Sequence, residues 1–253
     1  MWLRLRQVAL VARDIEAVVA DLRAVFGLDV AYIDPGVAVF GLQNRLLPVG
    51  SQFIEIVSPV RDGTAGGRYL ERRGGDGGYM VITQCDEHPA RKRHVESLGI
   101  RKVLERDHPE HCLLQLHPAD TGGSFLEIDW HRDLAADGDW PPAGEDWRRA
   151  VRTERVNAIT GVELQSDRPG ELAGRWSEII ETRVVADAQG NPSLALENAT
   201  IRFIAATDGR GEGLGGVDVR AVDRETVLAA ARARGVPVEG STVTIAGTRF
   251  RLA

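Results

Sequence analysis

Gln7-Val8-Ala9-Leu10-Val11, then Asp14, then Ile15 to Phe26 closed by Gly27, is the unit around which the whole chain is organised. The first five residues read as a strand. Beyond Asp14 the apolar residues Ile15, Val18, Val19, Leu22, Val25 and Phe26 fall at helical spacing. Asp14 is placed to accept hydrogen bonds from the free amides of the first turn, and Gly27 to supply a left-handed C-terminal residue. The unit recurs. Tyr79 to Thr83, Asp86 and a helix ending at Leu98-Gly99 make a second copy, with the same 13 positions from Asp to Gly. Val217 to Ala221, Asp223 and a helix carrying Val227, Leu228 and Ala231 up to Gly235 make a fourth. The third is looser: Gly161 to Gln165, Asp167, Pro169, then Leu172, Trp176, Ile179 and Ile180.

Short β-like stretches follow each helix: Val37 to Phe40 and Gln52 to Val57; His111 to Leu116 and Ser124 to Trp130; Ser193 to Leu196 and Thr200 to Ala205; Thr242 to Ile245 and Arg249 to Leu252. The reading is an α+β fold of four tandem βαβββ modules. Residues 132–156, with Trp140, Pro141, Pro142 and Trp147, break the pattern and read as a linker packed over the surface. They divide a paired-module domain at 1–131 from a second at 157–253.

The chain has 253 residues, enough for a sizeable core without staples. Cys85 and Cys112 are too few for a disulfide framework and suit a reducing, cytoplasmic setting. No apolar run approaches the ~18 residues of a membrane span, and no signal-peptide pattern opens the chain. With 31 basic and 37 acidic residues, the chain lacks the electrostatic footprint of a nucleic-acid binder.

Strand alternation separates two faces. Ile54 and Ile56, like Leu126, Ile128 and Trp130, belong under the helices. Phe53, Glu55 and Val57, like Phe125, Glu127, Asp129 and His131, point the other way. An ionised carboxylate among apolar neighbours is costly unless wet, paired or metal-bound. If the strands curve round a cleft, Gln7, Glu55, Tyr79 and Glu127 converge on it; a plainly solvated face is the alternative.

The tandem strand–Asp–helix–Gly units with strands ending in Glu resemble the vicinal oxygen chelate superfamily. That superfamily includes glyoxalase I, methylmalonyl-CoA epimerase, extradiol dioxygenases and antibiotic-sequestering proteins. The first half is most similar to its glyoxalase and epimerase branch, through Glu55-Ile56-Val57-Ser58-Pro59, Tyr69 to Gly75, and His117-Pro118-Ala119-Asp120-Thr121-Gly122-Gly123 leading into Ser124 to Glu127. The resemblance implies a U-shaped cleft with one divalent metal, held here by Gln7, Glu55 and Glu127, with Tyr79 at a place where the family usually has His. A neutral phenol, with a pKa near ~10, is a poor ligand. The oxygen-rich remainder favours Mg²⁺, Mn²⁺ or Ca²⁺ over Zn²⁺ or Ni²⁺, and an iron dioxygenase is disfavoured because two histidines and a carboxylate do not occupy these positions. The corresponding places in the second half, about Thr160, Phe203 and Val217, offer no ligands.

Two functions follow as expectations. One is a metal-dependent lyase or isomerase acting through an enediolate on a small carbonyl or thioester substrate, with Glu55 or Glu127 as general base. The other is a metal-free protein that binds or sequesters a small molecule, with Tyr79, Phe53 and Phe125 lining the cavity and the carboxylates meeting a cationic ligand. Either suits a monomer or homodimer. His117 reads as a turn former or a substrate contact at the cleft mouth. His88 and His94 read as surface residues, and His108 and His111 as part of a solvated loop. Arg68 to Arg73 reads as a short helix with a solvated basic face. His131 shares the face of Glu127 and could replace a missing imidazole ligand, although four residues of strand carry it ~13 Å away.

Overall fold

A computed structural model describes residues 1–253. The first half runs β1 (Leu3–Val11), α1 (Ile15–Phe26), β2 (Leu42–Val49), β3 (Gln52–Pro59), α2 (Ala65–Arg72), β4 (Gly77–Cys85), α3 (His88–Ser97), β5 (Lys102–Arg106), β6 (His111–Leu116), α4 (Pro118–Thr121) and β7 (Phe125–His131). The second runs β8 (Val156–Ser166), α5 (Pro169–Ile180), β9 (Val184–Ala186), β10 (Pro192–Ala195), β11 (Thr200–Ala205), β12 (Gly213–Ala221), α6 (Arg224–Arg234), β13 (Val238–Glu239), β14 (Thr242–Ile245) and β15 (Thr248–Leu252). Each half forms one sheet. The orders are β2-β3-β1-β4-β7-β6-β5 and β13-β14-β15-β12-β8-β11-β10-β9. The opening strands of paired modules, β1 with β4 and β8 with β12, meet antiparallel at the centre of each sheet. Modules therefore pair within the chain, and the architecture is the α+β tandem-module fold.

The helix signals act as the physics of capping requires. The Asp14 side chain accepts from the Ala17 amide, Gly27 ends α1 at φ +71°, and all six periodic apolar residues of α1 are buried. Asp223 and Gly235 do the same for α6. The second module differs. Asp86 accepts instead from the Trp2 amide, and Glu87 stands at the start of α3 without a side-chain bond. Asp167 likewise yields the position before α5 to Arg168.

Several local expectations are corrected. Val37 to Phe40 is not a strand but the end of a 3₁₀ helix, Pro35–Phe40, whose first turn Asp34 caps. The strand lies further on, at β2. Its interior Pro48 hides it, and is tolerated because β2 is an edge strand. His88 is buried, and Arg73 is not on a solvated face: its guanidinium donates to the carbonyls of Arg210, Gly211 and Glu212.

The apolar faces of both sheets and the inner sides of α1, α5 and α6 merge into one core, with Val95 of α3 added. Polar contacts between halves reinforce it. The Gln52 amide bonds Ile159 as a peptide would, donating to its carbonyl (2.7 Å) and accepting from its N–H (2.8 Å). At Gly123, with φ +79°, a side chain would meet the Glu212 carbonyl at 2.4 Å. That glycine is required by a close approach as well as by its turn. No helix is long and apolar enough to cross a membrane.

Candidate active site

Strand register decides which side chains share the concave face of the first sheet. In the first module Gln7 pairs with Phe53 and Ala9 with Glu55. In the second, Met80 pairs with Phe125 and Ile82 with Glu127. Met80, not Tyr79, is therefore the counterpart of Gln7; each lies eight residues before its helix. Between Ala9 and Leu10 the β1–β4 register slips by one, leaving Tyr79 as the extra residue of a bulge. The bulge lets Tyr79 join Met80 and Ile82 in the concave-face cluster, while Val81 enters the main core. The Tyr79 ring meets Tyr69 and Phe125 edge-on, each at 4.9 Å.

Glu55 and Glu127 lie on this face, each 7% exposed. Glu55 accepts from Gln7 Nε2 (2.8 Å) and Asn44 Nδ2 (2.6 Å). Burial raises its carboxyl above the ordinary range despite those bonds. Burial also raises Glu127, well above that range, with help from the nearby charges of Asp129 and Glu55. No cation is among the groups acting on either carboxyl. The charge of Glu55 thus reaches Glu127 across this face.

Residues 132–156 do more than cross the surface. Trp140, Ala143 and Trp147 are buried against the concave face. Trp140 Nε1 donates to Gln7 Oε1 (2.8 Å), its ring lies 4.5 Å from that of His131, and Trp147 meets Phe53 edge-on at 5.1 Å. His117 is not brought to the carboxylates. Its Nδ1 accepts from the Ala119 amide as the cap of α4, and the turn is fastened to the second half by Trp176 Nε1 donating to the Thr121 carbonyl (2.7 Å).

As arranged, the four family positions do not fit a divalent ion. The ligating oxygen of Gln7 is bonded to Trp140, Glu55 is engaged by two amides, and Met80 supplies a thioether where hard ions need oxygen. Groups able to hold a metal lie elsewhere: His111, Asp129 and His131, and His88, Asp107 and Cys112. Burial lowers His131 below the ordinary imidazole range more than Asp129 raises it.

The second half inverts the site. By register, the counterparts of Gln7, Glu55, Met80 and Glu127 are Gly161, Arg202, Gly216 and Arg251, not Thr160, Phe203 and Val217. Phe203 and Val217 are core residues. Arginines replace both glutamates and are met by Asp218, with Glu163 also on Arg202. A hollow of about 190 Å³ remains beside Arg251, Asp218 and Glu163.

The buried acids give a pH dependence. A carboxyl whose pKa is raised by folding keeps its proton when the unfolded chain, at ~4.3, has released it. Stability therefore falls as pH rises from that point toward the folded pKa. Between about pH 5 and about pH 8, Glu127→Gln loses less stability than the natural chain. Urea midpoints at the two pH values measure this; parallel curves would mean that Glu127 is solvated.

Paired βαβββ modules with two acids on one concave face define a protein of the vicinal oxygen chelate superfamily. The family model described as a glyoxalase-like domain matches residues 8–180, more than half of the chain, and the chain belongs to that family. Among solved structures, a mutant 4-hydroxymandelate synthase from Streptomyces coelicolor is similar over 93% of this chain and 76% of its own, with TM-score 0.70 and 14% identity. A hypothetical protein from Staphylococcus aureus is similar over 99% of both chains, with TM-score 0.67 and 13% identity. Methylmalonyl-CoA epimerase from Streptomyces coelicolor aligns with 53% of this chain and 100% of its own, at TM-score 0.46 and 19% identity. No curated protein sequence matches the chain.

Proposed function

We propose that the first half is an acid–base enzyme, a lyase or isomerase acting on a small carbonyl or thioester compound. The observation that carries this reading is Glu127: a buried carboxyl with no cation, raised well above its ordinary range by its surroundings. A carboxyl so placed holds its proton above the ordinary carboxylate range, the direction in which a general base is tuned. In its carboxylate form it takes the proton from the carbon beside the carbonyl, and the C–H electron pair moves onto the carbonyl oxygen as an enediolate or enolate. Tyr79, whose hydroxyl burial keeps protonated, donates to that oxygen. Returning the proton completes an isomerisation. Glu55 is held beside Glu127 by Gln7 and Asn44, and Phe53 and Phe125 form apolar walls. The free thiols of Cys85 and Cys112 agree with a cytoplasmic setting, and the reading suits either a monomer or a homodimer.

Deuterium wash-in beside the carbonyl, followed by NMR over a panel of 2-oxo-aldehyde thiol adducts and acyl-CoA thioesters, tests this. The natural chain exchanges at least one of them. Glu127→Gln slows exchange by about 10²–10⁴-fold and Tyr79→Phe by about 10²–10³-fold. No exchange across the panel, or exchange untouched by Glu127→Gln, defeats the reading. The aromatic closure by Trp140 and Trp147 favours a second one, a protein that binds a small molecule without turnover. Ligand-induced thermal stabilisation without exchange would mark it.

A further inference from the structure

His111 and His131 face each other across β6 and β7, and Asp129 lies two residues before His131 on the same face. Asp129 is 0% and His131 1% exposed, while His111 keeps a solvent edge. The two imidazole rings stack at 4.2 Å, 14° from parallel. Both present Nε2 to Asp129 Oδ2, at 3.5 Å from His111 and 3.7 Å from His131. These separations are too long for hydrogen bonds. They are close to the ~3.4 Å edge between ligand atoms that each lie ~2.1 Å from one tetrahedral ion, and binding rotates the nearly parallel rings so that both Nε2 lone pairs meet at it.

Both oxygens of Asp129, both ring nitrogens of His131 and Nε2 of His111 are buried without a partner. Five orphaned polar atoms in one cluster are a heavy cost unless something binds them. The neighbouring cation does not. Arg6 spends its guanidinium on Gln84 Oε1 and the carbonyls of Ala135, Ala136 and Gly138. Two imidazoles and one carboxylate are a donor set for borderline transition ions, not for Mg²⁺ or Ca²⁺.

We propose that His111, Asp129 and His131 form a binding site for a zinc-type divalent cation, separate from the four family positions. Three protein ligands leave a fourth place for water or another small ligand, the arrangement of open zinc sites.

The test uses the full chain freed of metal by chelator dialysis and titrated with Zn²⁺ by calorimetry and with Co²⁺ by visible absorption. One equivalent binds, and Co²⁺ develops the intense bands of tetrahedral coordination. Asp129→Asn and His131→Gln each weaken binding at least ~100-fold. His111→Gln, at the solvent edge, does so with the circular dichroism of the folded chain intact, which covers the case in which a buried variant fails to fold. Glu55→Gln and Glu127→Gln retain the site, and so does Cys112→Ser, which disables the other metal-capable cluster. The proposal is overturned if the natural chain takes up no metal, if His111→Gln binds as tightly as the natural chain, or if the glutamate variants alone abolish uptake.

Discussion

Trp140→Ala is expected to destabilise the protein by about 3–5 kcal/mol, the range for removing a fully buried aromatic residue. The indole is 1% exposed, lies over Gln7 and packs on His131. It closes a face that already holds two carboxyls without cations. Its loss removes apolar contact, leaves Gln7 Oε1 without its donor and lets water reach both acids. Trp140→Phe separates these effects: it keeps most of the ring and loses the N–H, and should cost only ~1–2 kcal/mol. Urea unfolding of both variants is the measurement. A cost below ~1 kcal/mol for Trp140→Ala would show that residues 132–156 lie loosely on the sheet and do not close the cleft.

Arg202→Ala is expected to cost about 3–5 kcal/mol, although it lies far from the candidate active face. Arg202 holds both oxygens of Asp218 and one of Glu163 (3.0 Å) on the concave face of the second sheet. Burial works against its charge, but the bonds to Asp218 and Glu163 raise its pKa above that of a free guanidinium. Removing it leaves acids in a hollow where Arg251 and Arg249 neutralise them only in part. The double variant Arg202→Met, Asp218→Leu removes both charges of the central pair and should recover much of the loss, because a buried pair as a whole adds little to stability. Chemical denaturation of the single and double variants decides this. A double variant no better than Arg202→Ala would mean that the two side chains act through packing.

Six apolar positions, one aspartate and one glycine specified α1, because helix periodicity and capping are local. Parity along β3 and β7 put Glu55 and Glu127 on the face away from the helices, because side-chain alternation is a property of any strand. Repeat spacing matches Tyr79 to Gln7, whereas strand register matches Met80. The modules are offset by 73 positions at Gln7 and Met80 but by 72 at Glu55 and Glu127, and a bulge absorbs the difference. Nothing in the spacing of Asp14 to Gly27 and Asp86 to Gly99 reveals that slip, since the aspartates and the glycines stay in step while α3 itself starts one residue later.

His111 and His131 illustrate the other limit. They are 20 positions apart, one at the edge of a polar loop and one at the end of a strand. Only the β6–β7 register stacks them over Asp129. Trp140 and Trp147 were recognisable as aromatic residues in an irregular segment, but not as the cover of the acidic face. The module pattern, the helix ends and the sidedness of the strands are written in the order of residues, since each depends on neighbours a few positions away. Which acids lose their water, which amide oxygen is taken by an indole, and which histidines meet a carboxylate depend on contacts between distant segments. Burial and register exist only after the chain has closed on itself.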